Sequence, residues 1–218
     1  NLTKDRVAGT DIQADRMPRH DRHGNRQAAG DIVADLRDAD FDVFLESAML
    51  NAFSNNVLKV GTAPKFFSIE DYAADIDQAR LFTGMTVSTM GISLAPNQMV
   101  TAIVTGMDFT LTNSFAPTFV IGSDSAPQLE VGRAEVEGTL SAYFEDAALI
   151  NRFLNETETE LEVTVGDGSN TLKFAFPRAK INSADVGVDG PTSRVISMSF
   201  VALYNTTDDS NLVITRSA

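Results

Sequence analysis

The chain has 218 residues, 43% of them hydrophobic, with 17 basic against 30 acidic side chains and no cysteine. A chain of that length buries roughly 70% of the surface it exposes when unfolded, enough for one large β domain or two small ones. The acid excess opposes any general grip on phosphate backbones, the missing cysteines leave no disulfide framework, and no apolar run approaches the ~20 residues of a membrane span.

These bounds lead us to expect a soluble protein made in the cytoplasm. Because the chain opens on Asn1 rather than Met, a longer translated product is expected.

Residues 1–29 carry six basic groups (Lys4, Arg6, Arg16, Arg19, Arg22, Arg26) and four acidic ones, a net of +2, while the remaining 189 residues carry −15. With few large apolar residues and no sustained period, this stretch reads as an extended N-terminal arm that builds no core of its own. It is either a solvated tail or an arm laid on the acidic surface of a neighbouring copy. In the second reading Arg16, Arg19, Arg22 and Arg26 make the inter-subunit contacts. Each exposed pair would contribute about 0.2–1 kcal/mol, and together they would make a salt-sensitive interface. His20 and His23 form an H-x-x-H, but they lack a third ligand and a rigid frame, so no metal site is expected.

The body spans residues 30–218. In "GDIVADLRDADFDVFLESAML" Ile32, Ala34 and Leu36 alternate as a strand does. Asp38 or Asp40 can cap a following helix over Phe41–Met49, whose apolar stripe is Phe41, Phe44, Leu45 and Ala48. Strands are then expected in "KFFSIEDY", "RLFTGMTVSTMGISLAPNQMV" and "TAIVTGMDFTLTN". The last two run together near Val100 and Thr101 without turn residues, so a mobile loop is expected to have been dropped there. The mass of the intact protein checks that expectation.

The second half repeats the grammar. In "RAEVEGTLSAYFED" Ala134, Val136, Gly138, Leu140, Ala142 and Phe144 share one face, while Arg133, Glu135, Glu137, Thr139, Ser141 and Tyr143 share the other. Such a half-buried strand is antiparallel in character. Asp146 can cap a helix whose Ala147, Ile150, Phe153 and Leu154 recur at helical spacing. "ELEVTVGDGSNTLKFAFPRAKI" reads as a hairpin with Leu161, Val163 and Val165 facing Leu172, Phe174 and Phe176. A Gly/Pro-punctuated loop, "NSADVGVDGPTSR", then leads to a strand with Ile196, Met198, Phe200, Ala202 and Tyr204 on one face.

Both halves, about 30–105 and 130–205, read as strand, helix, then several strands. The fold class expected is mainly β: one sandwich or barrel-like body with an internal duplication and two short flanking helices, since neither half alone has enough core to stand.

Nucleophilic and phosphate-loop chemistry lack their usual parts, because there is no cysteine, no histidine outside the arm and no G-x-S-x-G. Glu135 with Glu137 and Glu160 with Glu162 could pair for acid–base work, but alternation already explains them as the polar faces of half-buried strands. "GDGSN" lacks the ligand spacing of a calcium loop, and Asp208 and Asp209 sit in an ordinary turn. No enzyme activity and no cofactor are expected.

The stretch from "SFAPTFVIGSDSAPQLEVGRAEVEGTLSAYFEDAALINRFLNETETELEVTV" through "FAFPRAKINSADV" and "SFVALYN" resembles the major tail tube proteins of long-tailed bacteriophages. "DRHGNRQAAGDIVADL" and "LFTGMTVSTMGISLAPNQMV" are similar to the first half of that family, whose members carry a longer stretch near Val100. The resemblance implies a virion protein, assembled in the bacterial host cytoplasm as hexameric rings stacked into a tube around a tape-measure protein. Tail terminator and distal tail proteins are its implied partners. DNA passes through without specific binding, and no membrane is involved.

A duplicated unit suits such a ring, because two similar sheet segments per chain let a few subunits close a continuous sheet with few open edges. The channel-lining face is expected to be polar or acidic, rich in small hydroxyl residues and poor in Lys and Arg, so that passing phosphates are repelled.

A secretion-system tube subunit is the nearest rival. A virion decoration or carbohydrate-binding sandwich would display aromatics for stacking, and the chain has no Trp and only three Tyr. An unrecognised hydrolase comes last.

Overall fold

The computed structural model describes residues 1–8, 17, 21–37, 39–94, 104–119, 125–126, 128–144, 147–166, 170–187 and 194–217. Its elements in chain order are β1 (Leu2–Ala8), β2 (Asp21–Ala28), α1 (Asp42–Met49), β3 (Val57–Lys59), β4 (Phe67–Ala73), β5 (Gln78–Met85), β6 (Thr89–Leu94) and β7 (Val104–Asn113). They continue with β8 (Ala116–Thr118), β9 (Gln128–Glu130), β10 (Ala134–Tyr143), α2 (Ala148–Leu154), β11 (Thr159–Gly166), β12 (Thr171–Val186), β13 (Val195–Ala202) and β14 (Val213–Arg216). The fold is mainly β with two short helices, as the periodicities imply.

One antiparallel sheet of eight strands organises the body, in the order β3-β14-β12-β13-β10-β7-β6, with β11 also paired to β12. Alternation in β10 sets its faces as read from the sequence: Val136, Leu140 and Ala142 are buried, while Glu135, Glu137, Thr139 and Tyr143 are exposed. The β11–β12 hairpin pairs Leu161 with Phe176, Val163 with Phe174 and Val165 with Leu172, the register that the two apolar rows dictate. In a flat sheet β12 and β7, three strands apart, would be separated by about 14 Å. Yet the Phe109 ring of β7 lies 5.2 Å from Phe174 and 5.0 Å from Phe176 of β12, and Phe176 lies 5.2 Å from Phe200 of β13. The sheet therefore curls over its own core. Pro177, which can donate no ladder hydrogen bond, falls in the register shift of the β11–β12 ladder, after which the second half of β12 pairs with β13 from Ala179 onward.

Helix α1 plugs this curl. Leu45, Ala48 and Met49 are buried, and the buried Ser47 hydroxyl donates to the Lys65 carbonyl (2.9 Å) and accepts from the Val87 N–H (3.1 Å). The buried Asn113 amide of β7 donates to the Ala48 carbonyl at 2.7 Å. From the far end of the chain Arg216 reaches α1, ion-pairing with Asp42 and lying 4.5 Å over the Phe53 ring.

Several expectations are corrected. Residues 31–37 form no strand: Ile32 is 60% and Val33 96% exposed, and among the described residues no sheet edge pairs with their backbone groups. The arm, expected as an extended segment, folds back into the β1–β2 hairpin, which is exposed and adds nothing to the core. Neither helix has a side-chain cap: Phe41 stands at the N-cap of α1 in place of Asp40, and Ala147 at that of α2. Asp38 and Asp146 lie outside the described residues, as does the junction at Val100 and Thr101.

"NSADV" is strand rather than loop, since β13 offers it an edge as far as Val186. Tyr204 falls beyond β13 and is exposed, its hydroxyl donating to Asp209 at 2.5 Å in the following turn. That hydrogen bond raises the phenol pKa above its ordinary value. Strands β3 and β14 lacked a readable period, being three and four residues long.

Candidate functional site

The outer face of the sheet is the most distinctive surface of the molecule. On β10 it presents Glu135, Glu137, Thr139 and Ser141, and opposite them β7 presents Thr112, Thr110, Asp108 and Gly106. Strand β6 continues the rows with Thr89, Gly91 and Ser93. On the other side of β10, Ser197 and Ser199 of β13 and then Ser183 and Asp185 of β12 extend the face. The Ser183 and Ser199 hydroxyls share a hydrogen bond at 2.6 Å.

Four carboxylates (Asp108, Glu135, Glu137, Asp185) thus stand among small hydroxyls, and Lys180 of β12, opposite Val201, brings a cation to the same face, with Arg178 and Lys173 earlier along that strand. Lys180 is drawn to Glu156 at 2.9 Å. Arg133, just before β10, lies 3.6 Å from Glu135. The sidedness of the face follows from alternation: each core residue of β7, β10 and β13 puts its chain neighbours on the opposite side, where Tyr143 and Val201 also stand.

The sheet has open edges. Among the described residues β6 pairs only with β7, β11 only with β12 and β3 only with β14. Such rows of unpaired backbone groups invite pairing with another chain.

Of the four arginines proposed for subunit contacts, Arg22 and Arg26 lie in β2, with Arg22 opposite Val7 and Arg26 opposite Lys4 across the hairpin. Arg16 and Arg19 lie outside the described residues, as does His20, while His23 stands opposite Arg6. Both carboxylate pairs sit on exposed strand faces. Glu162 is engaged by Lys173 at 2.6 Å, a tie between neighbouring strands rather than an acid–base pair. Among the described residues no group of three or more His, Asp or Glu side chains is placed to hold a metal ion, and no helix is long and apolar enough to cross a membrane.

The family model for phage tail tube proteins matches the chain twice, over residues 1–107 and 101–202. The chain belongs to the phage tail tube protein family. Two matches along one tail tube chain fit the internal duplication read from the sequence. No curated protein matches the chain. A solved structure described as "Tail of empty GTA particle computed with helical refinement, C6 symmetry" has a chain 13% identical, with a TM-score of 0.36 and coverage of 54% of this chain and 84% of that one. The tail tube protein is thus a structural component of a phage tail. The β1–β2 hairpin lies within the first match.

Proposed function

We propose that this tail tube protein polymerises as stacked hexameric rings whose lumen is lined by the acidic, hydroxyl-rich sheet face. The single observation that supports this reading is the composition of that face, with four carboxylates, rows of Ser and Thr, and one lysine already drawn to Glu156. Short hydroxyl side chains keep a channel wall wet and smooth. The carboxylates repel passing phosphates, so DNA slides without sticking.

Residues 1–29 act as the joining arm, and residues 30–218 form one body of two similar halves. Arg16, Arg19, Arg22 and Arg26 contact the acidic surface of a neighbouring copy. The tube encloses a tape-measure protein, is closed by terminator and distal tail proteins, and is assembled in the host cytoplasm.

Negative-stain microscopy of concentrated protein tests polymerisation directly: rings or tubes are expected, and persistent monomers overturn the reading. Asp108→Lys, Glu135→Lys and Glu137→Lys combined are expected to leave tubes intact and slow DNA ejection from purified virions. Ejection at the parental rate removes the face from the lumen.

A further inference from the structure

We infer that residues 31–37 are a strand awaiting a partner, and that they pair on the open edge of β6 in a second copy of this chain. The inference rests on the tube reading and names the segment that joins its subunits.

The sequence "DIVADLR" alternates as a half-buried strand does, yet the structure leaves it without a ladder. Its apolar side chains stand in solvent, with Ile32 60%, Val33 96% and Leu36 38% exposed. A segment of strand period with solvated apolar side chains gains by adding to another sheet. The segment leads within a few residues into the buried helix α1 from Asp42, so its C-terminal end is anchored to the body.

Among the edges of the eight-stranded sheet, the choice follows from charge and length. Strand β11 presents Glu160 and Glu162 on its exposed face, which would set them against Asp31 or Asp35 of an added strand, and like charges across a ladder destabilise it. The free part of β12 presents Asp185. Strand β3 has three residues, too few to match a seven-residue segment. Strand β6 has six, its exposed face offers uncharged Thr89, Gly91 and Ser93, and its inner row of Met90, Ile92 and Leu94 is only half-buried. Ile32, Ala34 and Leu36 share the two-residue period of that row and would extend it, covering the flank of the core. Asp31, Val33, Asp35 and Arg37 would then join the acidic face.

The absence of cysteine makes the test clean. Ala34→Cys combined with Met90→Cys or Ile92→Cys is expected to give intermolecular disulfides in oxidised tubes and none in dilute subunits. Val33→Cys, on the opposite face, is expected not to link to those positions. Hydrogen exchange on the parent chain supplies an independent readout: amides of residues 31–37 should exchange at near-free rates in dilute subunits and about a hundredfold more slowly in tubes. Tubes in which residues 31–37 stay unprotected overturn the inference and leave the tube reading standing. Protection without links to β6 overturns the choice of edge, and a parent chain that forms no tubes overturns both.

Discussion

Gly30 and Gly138 open the same phrase in the two halves of the chain, but their surroundings differ completely. A Cβ on Gly138 would stand 2.5 Å from the Asp108 carbonyl oxygen and 2.6 Å from the Phe200 ring, whereas one on Gly30 meets only the Asn1 nitrogen at 4.0 Å. The helices that follow diverge in the same sense but with the halves reversed. Helix α1 buries Leu45, Ser47, Ala48 and Met49, while α2 has no buried residue and leaves Leu154 67% exposed. In the first half the helix is the core element and the preceding segment is loose; in the second half the strand is central and the helix is a cover. Local pattern specifies an element's face, and the neighbours that arrive from elsewhere in the chain decide whether that face is used.

The largest effect that could break this contrast lies in the helices. Met49→Ala should cost about 2–5 kcal/mol of stability in urea unfolding, by loss of buried contacts and the cavity left behind. Leu154→Ala should fall within about 0.5 kcal/mol of the parent. Equal costs would mean that α2 is as much a core element as α1. The two glycines give the next effect. Gly138→Ala should destabilise by about 1–3 kcal/mol through overpacking against Phe200 and the β7 backbone, and Gly30→Ala should leave the unfolding midpoint where it is. A neutral Gly138→Ala would show that the β7–β10 spacing gives more easily than the geometry implies.

A smaller effect comes from the pairing that holds α1. Burial works to raise the Glu46 carboxyl, but the Lys65 ammonium at 2.7 Å, the Phe53 N–H and the charge of Arg216 outweigh it, so its pKa lies below the ordinary value. A lowered carboxylate contributes stability that is fully present above the ordinary glutamate range and is lost as pH falls through the lowered value. Glu46→Gln should therefore flatten the acid limb of the stability profile, measured by thermal melts across that range. An unchanged acid limb would place the α1 anchor in packing alone. Smallest of all for the isolated subunit is the arm: Arg16, Arg19, Arg22 and Arg26 all replaced by Ser should leave circular dichroism and melting temperature unchanged while abolishing long tubes. A variant that polymerises as well as the parent at low salt would make the arm a solvated tail.

The sequence by itself determined which residues face inward. The rows of β10, β11, the first half of β12 and β13 were legible because strict alternation over six or more residues has one physical solution, an apolar side toward a core. The places of both helices were legible at a different period, but the inward face was so only for α1, since the stripe read for α2 ends on Leu154, which is 67% exposed. The acidic, hydroxyl-rich face was implicit in those rows, since whatever alternates with core residues must point outward.

Tertiary structure alone decided which alternating segments obtain a partner. "DIVADLR" and "NSADV" are comparably patterned, yet only "NSADV" becomes a strand, because β13 lies beside it. The short β14 exists through its ladder with β12, and β3 through β14 and through Arg216, whose contacts with Asn56, Phe53 and Asp42 span most of the chain. A backbone hydrogen bond between strands needs a second strand at about 4.8 Å, and where that strand comes from is a property of the whole fold rather than of any local run of residues.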